Sequence, residues 1–480
     1  MLRVIGNDQN LPRQEHAVAS GALTNGKAVV VNTDGTVSAP FSATTIFAEE
    51  NAQSNAIATD GSGTFVLMYA GPANSYTGTV IAGTISGGTV TLGTAGTYAS
   101  ESNIPTQGQS VVYDPDSDKF ILVYSNGGLG NYLASRVVTV SGTSVSLGTE
   151  VVIESRAIDQ STAVYDTSAN KVVCIWSGGH SSYKVAAAVG TVSGTDISWG
   201  TTAILEDNRP GNSMSVVYDS NANRSAVFYR DYSNNDGYYI VCAVSGTSIS
   251  GGSRATFAAA DTHGISATYD STAQKIVIAF TDVGNSSYGS AIVGTIDNSD
   301  NTMSFGSEIN FSGTSATDSI SAQYDSTNNK TFIFFDKANG AMTGIIGTVS
   351  GTSISVGTEV GISSSNIVHT DSAFDSSAGK VLLVYKDVGN SNYGTLQALD
   401  TSLATSNFTS ENYIGITRSG AASGAGAIVD TQGAIADNLS GLTAGQSYFV
   451  QNDGTLGTTA DDPSVFAGTA VSATKLIVKG

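Results

Sequence analysis

Charge is scarce in this chain. Of its 480 residues only 12% are Asp, Glu, Lys or Arg, about half the share of an ordinary globular protein. What charge there is leans one way, with 40 acidic against 20 basic residues and a net charge of −20. A protein that tracks a phosphate backbone needs clustered Lys and Arg, so nucleic acid is not an expected partner. The acidity suits a protein that must stay dispersed in salty water. Cysteine is rarer still. Cys174 and Cys242 permit at most one bridge and no zinc spacing. Each lies in an apolar run, VVCIW and YIVCAV, and both read as buried free thiols. No stretch approaches the roughly 20 apolar residues of a membrane helix. The opening MLRVIGNDQNLPRQEH lacks the apolar core of a signal peptide. The expectation is therefore a protein made in the cytoplasm and not inserted in a membrane. G-x-S-x-G, P-loop and H-E-x-x-H patterns are missing too, so no catalytic, cofactor or metal residue is expected.

Glycine is plentiful, at 55 residues, and Ser, Thr and β-branched residues fill much of the rest. Amphipathic helical runs are few, which leaves an all-β class with many turns. One phrase organises the chain: SVVYDPDSDKFILVY, residues 110–124, which reads as strand, tight turn, strand. It returns around Asp166, Asp219, Asp270, Asp325 and Asp375, and in shorter form around Asp60, making seven copies with Asp114. Successive aspartates lie 54, 52, 53, 51, 55 and 50 residues apart. A period near fifty is the mark of a propeller or array. Each full repeat offers four strands, with Ser-Gly-Thr between the third and fourth. The second strands, such as KIVIAF and VLLVY, are continuously apolar, as strands covered on both faces are. A parallel β-helix has shorter coils and lacks recurring hairpins. The expected fold is a seven-bladed β-propeller with blades of about 52 residues.

The ends break the period. Residues 1–35 read as an arm and a hairpin that turns at Asp34-Gly35. Residues 36–48 resemble a fourth strand without its blade, while the last blade lacks a good fourth strand of its own. That pairing would close a ring spanning 36–402 and leave no exposed edge. The rival is that residues 401–408 close the blade themselves. Residues 403–480 form a different β-rich unit, whose SGLTAGQSYFVQNDGTLGT echoes SGALTNGKAVVVNTDGTVS at residues 20–38. The two hairpins at opposite ends of the chain are expected to pack together. This unit, through Asn412–Thr417 (NYIGIT), Asp430–Gly433 (DTQG), Gly441–Gln446 (GLTAGQ) and Tyr448–Thr455 (YFVQNDGT), resembles a module of tailed-phage virion proteins, particularly those of marine phages. The resemblance implies a structural virion protein, a tail or tail-fibre component made in the host cytoplasm. Its expected partners are other virion proteins, further copies of itself and a glycan or protein of the host surface. A capsid decoration protein is the alternative within that class. No collagen-like or coiled-coil shaft is encoded.

Function in the repeats is sought at two places. The repeated aspartates favour a turn role, because Asp bonds its own backbone two residues on. Asp114-Pro-Asp-Ser-Asp118 comes nearest a calcium loop but lacks its spacing. The basic residue five positions later (Lys119, Lys171, Arg224, Lys275, Lys330, Lys380) is expected to pair with the aspartate or to be solvated. His263 and His369 precede equivalent strands, which suggests a shared loop role rather than a metal site. Sialidases share propeller folds, but their S-x-D-x-G-x-T-W box is missing. A carbohydrate-binding or glycosidase propeller is the runner-up to a virion protein that is not an enzyme. The loops between second and third strands carry tyrosines among Asn, Ser and Gly: Tyr76, Tyr132, Tyr183, Tyr232, Tyr238, Tyr288 and Tyr393. Such loops make adaptable polar recognition surfaces, and these seven are the candidate surface-binding residues. Packing between blades is their competing role.

Overall fold

The structure, a computed structural model, describes residues 14–19, 23–31, 35–38, 44–71, 77–86, 89–99, 108–178, 184–208, 210–337, 340–400, 411–422, 424–451, 454–460 and 464–479. Among these residues β-strands dominate and no α-helix occurs. The chain divides into two compact units. One combines Met1–Ala43, Gly87–Thr89 and Thr405–Gly480; the other is Thr44–Ser86 with Val90–Ala404.

The second unit is the propeller. The blade around Asp114 shows the plan. Its inner strand Ser110–Asp114 turns directly into Lys119–Asn126, with Asp114 opposite Lys119. Tyr132–Ser141 follows as third strand, and the fourth is split into Ser144–Leu147 and the start of Val151–Asp166. The break falls at Gly148, between these two pieces. Strand Val151–Asp166 does not stop at the blade's rim. Its first half pairs outward in one blade, and its second half, from Ile158, is the inner strand of the next. Ala255–Asp270, Ile309–Asp325 and Val360–Asp375 make the same crossing. The periodic aspartates thus mark seven blades.

The second strands are buried on both faces, as their continuous apolar runs demand: Ile121, Leu122, Val123 and Tyr124 are fully buried. Between each pair of neighbouring blades lies one apolar cluster. The cluster that joins the last blade to the first contains Leu382, Val384 and Leu396 against Ile57, Phe65 and Leu67. At about 25 cal/mol per Å² of apolar area, these interfaces supply the main stabilisation.

The ring is closed by Thr45–Asn51, which pairs with the third strand of the last blade, Leu396 opposite Thr45 and Tyr393 opposite Asn51. The strand expected at 36–48 is therefore shifted. Val37–Ser38 instead returns the hairpin of the other unit, because the Asp34-Gly35 turn commits the residues after it to that hairpin. Residues 401–408, the rival closing segment, lie outside the described residues.

The other unit is a tandem duplication. Gln14–Val18, Ala28–Val31, Val37–Ser38, Tyr413–Thr417 and Gly426–Asp430 form one sheet. Numbered in chain order, they lie in the order 1-5-4-2-3. Ile435–Ala436, Ser447–Val450, Leu456–Gly457, Val465–Ser472 and Lys475–Val478 form a second sheet in the same order. Val29 faces Gly415 in the first as Tyr448 faces Gly468 in the second, each followed by a register shift. The two hairpins do share a core, where Ala28 and Val30 cluster with Tyr448 and Val450. In sequence order the propeller is an insertion between the third and fourth strands of the first copy.

Candidate functional site: the channel and the loop face

In six of the seven blades the inner strand ends at its turn aspartate and the carboxylate is buried, fully so for Asp325 and Asp375; in the first blade the strand ends at Thr59 and Asp60 is half-buried. The Asx turn is plain. Asp114 Oδ1 accepts from the backbone N–H groups of Asp116 (2.9 Å) and Ser117 (3.3 Å), and Asp166, Asp219, Asp270 and Asp325 repeat the pattern. The basic residue does not join the carboxylate. Lys119 Nζ donates to the carbonyls of Ser117 and Asp118, Lys171 to that of Asn170, and Lys275 to that of Gln274.

The turn as a whole has a further partner in the next blade. The tyrosine just before a turn reaches back to the preceding turn: the Tyr218 hydroxyl accepts from the Ser168 N–H (3.2 Å), and the Tyr324 hydroxyl donates to Thr272 Oγ1 (2.8 Å). Burial first, and the adjacent carboxylate second, pushes the Tyr165 hydroxyl well above its ordinary range. Phe374 has no hydroxyl to offer; within the turns Ser117 Oγ donates to Asp114 Oδ2 (2.7 Å) and Asn328 Nδ2 to Asp325 Oδ2 (2.9 Å). At the closing seam Thr59 Oγ1 donates to Asp375 Oδ2 (2.6 Å). The recurring Tyr-Asp pair was visible in the sequence, but its reach across the blade boundary was not.

The seven inner strands enclose a central channel of about 520 Å³. Side chains stitch its wall. Ser215 Oγ accepts from the Ala267 N–H (3.1 Å) and Ser266 Oγ from the Ala322 N–H (2.9 Å), each one blade on. These serines stand four residues before the turn aspartate, as do Ser110 and Ser321. In the last blade that position is Asp371, whose Oδ2 accepts from the Ile57 N–H at 2.9 Å. Burial pushes the Asp371 carboxyl up to about 6, even though the N–H groups of Ile57 and Ser372 pull the other way. It is the one ionisable side chain among the described residues that line the channel.

The histidines part company. His369 occupies a left-handed bulge (φ 56°), the place held by Gly264 (φ 55°) in its own repeat. Burial, with Lys386 beside it, lowers its pKa to about 4. His263 lies one position earlier, 3.2 Å from Asp261. They do not share a loop role, because only His369 fills the bulge. Among the described residues no three His, Cys, Asp or Glu side chains converge as a metal group. Cys174 and Cys242 are free and buried.

Of the candidate tyrosines, Tyr76 and Tyr183 lie outside the described residues. Tyr132, Tyr288 and Tyr393 are half-buried at one equivalent position, each opening a third strand after a left-handed residue (Asn131, Ser287, Asn392). In the blade of Asp219 that position is Asp236, preceded by left-handed Asn235. Tyr232 and Tyr238 therefore stand outside the shared set. Tyr232 is 58% exposed. Tyr238 stacks on Tyr229 (6.2 Å between centroids, 25°), and the Arg254 guanidinium lies 4.1 Å from its ring centre. Arg254 also pairs with Asp231 and lies 3.8 Å from Glu206. Burial alone would raise the Asp231 carboxyl; hydrogen bonds from Ser233 and Arg254 outweigh it and hold the group below its usual value. Glu150, Glu308 and Glu359 take the place of Arg254 in other blades. Sequence reading missed Arg254 because its partners come from three separate loops and strands.

No family model matches the chain, and no curated protein matches it in sequence. Solved structures do match in shape. The NanB sialidase of Streptococcus pneumoniae is 13% identical, with a TM-score of 0.43 over 76% of this chain and 71% of that one. The Dos1 propeller is 12% identical, with a TM-score of 0.42 over 78% and 81%. The BP39L lectin of Burkholderia pseudomallei is 10% identical, with a TM-score of 0.58 over 73% of this chain and 97% of that one. At such identity the likeness is one of fold, and with the seven blades counted above it makes this chain a β-propeller protein.

Proposed function

We propose that the chain is a binding protein of a tailed-phage virion, a tail or tail-fibre component whose propeller takes a host-surface glycan without turning it over. The observation that carries the binding half is the loop face around Tyr232, Tyr238 and Arg254. There an exposed ring, a guanidinium-covered ring and two carboxylates are held by a rigid blade. Aromatic faces suit the C–H faces of sugars, and planar charged groups suit their hydroxyl pairs. Loops on a rigid scaffold are where binding usually lives. The virion half is supported by the terminal unit's resemblance to phage modules. The partners on this reading are other virion proteins and further copies of the chain. Hydrolysis of a glycoside uses two carboxylates, and the described channel wall carries Asp371 alone.

The test has two arms. Antibody labelling of purified particles in negative stain should mark the tail; labelling of the capsid would favour a decoration protein, and no labelling would end the virion reading. On a glycan array the full chain should bind at least one surface glycan, with Tyr232→Ala weakening it about tenfold or more. Release of sugar by the purified protein would favour the glycosidase alternative.

A further inference from the structure

The channel is most unusual where the ring closes. Asn55, from the first blade, is 8% exposed and faces the channel. Its Nδ2 donates to the His369 carbonyl (3.0 Å), but its Oδ1 has no hydrogen-bond partner. Thr370, in the last blade, also lines the channel, and its Oγ1 is buried without a partner. Asp371 follows Thr370 in the strand and accepts from the Ile57 N–H, two residues along from Asn55. Its two bonds from backbone N–H groups leave lone pairs open, and no Lys or Arg lines the described channel to neutralise it. Buried polar atoms are normally satisfied, so unmet acceptors beside a carboxylate call for a donor. Asn55 Oδ1, the Asp371 carboxylate and the Thr370 hydroxyl, which can accept as well as donate, make an oxygen cradle of net charge −1.

We propose that the channel seats a protonated primary amine at this seam, with its ammonium on Asp371, Asn55 Oδ1 and Thr370 Oγ1. An ammonium carries one positive charge and three donors, with no acceptor to satisfy; its charge offsets that of Asp371, and each of the three oxygens can accept one of its hydrogens. Calcium takes six to eight oxygens, usually several of them from carboxylates; one carboxylate falls short. The channel volume of about 520 Å³ lies within the ordinary range for small-ligand sites, leaving room for the rest of an amine-bearing molecule, whether an amino sugar or a free polyamine. The site is independent of the glycan reading, since its residues lie on inner strands and not on the loop face.

The test is titration calorimetry and thermal unfolding of the full chain at neutral pH. The probe is 1,4-diaminobutane. Controls are its N,N′-diacetyl form, calcium chloride and matched sodium chloride. The expected result is one site per chain for the diamine, a rise of a few degrees in Tm, and no response to the diacetyl form. Asp371→Ser should abolish binding while keeping the fold, because serine at this position bonds the next blade's N–H in two other blades. Glucosamine and N-acetylglucosamine, run as a second pair, separate the two amine sources. Four outcomes would overturn the proposal: no heat with either amine, binding that survives in Asp371→Ser, equal response to the diacetyl form, or a single calcium site without an amine site.

Discussion

At the scale of single residues, two neighbours in one strand titrate in opposite senses. Asp371 has its carboxyl raised to about 6 from 3.8. The stability it contributes is fully present below the unfolded value and is lost as pH rises through about 6. His369 is lowered from 6.5 to about 4. Its contribution is fully present above 6.5 and is lost as pH falls toward 4. Each shift corresponds to roughly 2–3 kcal/mol, so across pH 4–6 the two slopes largely cancel. Urea unfolding should show this on single substitutions. Relative to the parent chain, Asp371→Ser should lose stability on acidification, and His369→Gln should lose it as pH rises; parallel profiles would contradict both assignments. A second prediction concerns the tyrosine reach. Tyr324→Phe strips the Thr272 hydroxyl in the preceding blade's turn of a donor (2.8 Å) and should cost about 1 kcal/mol. Tyr113→Phe should cost less, because its hydroxyl bonds the exposed Asp118 of its own turn (3.0 Å). The Asx turn was legible in the sequence, since Asp acts on its own backbone. The tyrosine's role was not, since its partner in the preceding turn lies some fifty residues away.

At the scale of elements, the blades press together through the glycine of the Leu-Gly-Thr phrase. A Cβ on Gly148 would stand 1.9 Å from the Thr195 carbonyl oxygen in the next blade's third turn, and Gly93, Gly200 and Gly306 meet their neighbours in the same way. Gly148→Ala must therefore push two blades apart and should cost more than about 2 kcal/mol. Gly142→Ala adds a methyl in open space and meets only the strain of φ 62°, about 1 kcal/mol. Equal costs in chemical denaturation would show that the blades are not in close register. The strand order within a blade could be read from the sequence because hairpins are local and their period repeats. The closing strand was harder to place. Its pairing spans the whole ring, and nothing local separates 36–48 from Thr45–Asn51 except the turn that uses up Val37–Ser38. Deleting residues 44–52 should leave the third strand Tyr393–Asp400 as an open edge. The expected outcome is loss of a single cooperative melt, with dimers by size exclusion; a truncated chain that melts like the parent would contradict closure by this strand.

At the scale of the molecule, the echo between the chain ends was readable but its meaning was not. Half of one copy lies before the propeller and half after it, so the 1-5-4-2-3 order shared by the two sheets emerges only in three dimensions. The second copy shows what the first would be without its insertion. There Leu456 and Val465 flank Val450 and are joined by the short segment 458–464. In the first copy Ser38 and Tyr413 flank Val30 in the same manner. Two strand spacings, about 10 Å, separate such positions, a gap that a linker of a few residues spans. Joining Ser38 to Asn412 through a copy of Thr-Thr-Ala-Asp-Asp-Pro-Ser should therefore give a small protein that folds alone. Its core would be the shared cluster of Val30, Ile416, Tyr448 and Leu476. The expected results are a cooperative thermal transition and dispersed amide resonances. A molten or aggregated product would mean that the duplicated unit depends on the propeller for its fold. Val30→Ala in the excised protein should then cost about 1–3 kcal/mol, because that side chain belongs to the core both copies share.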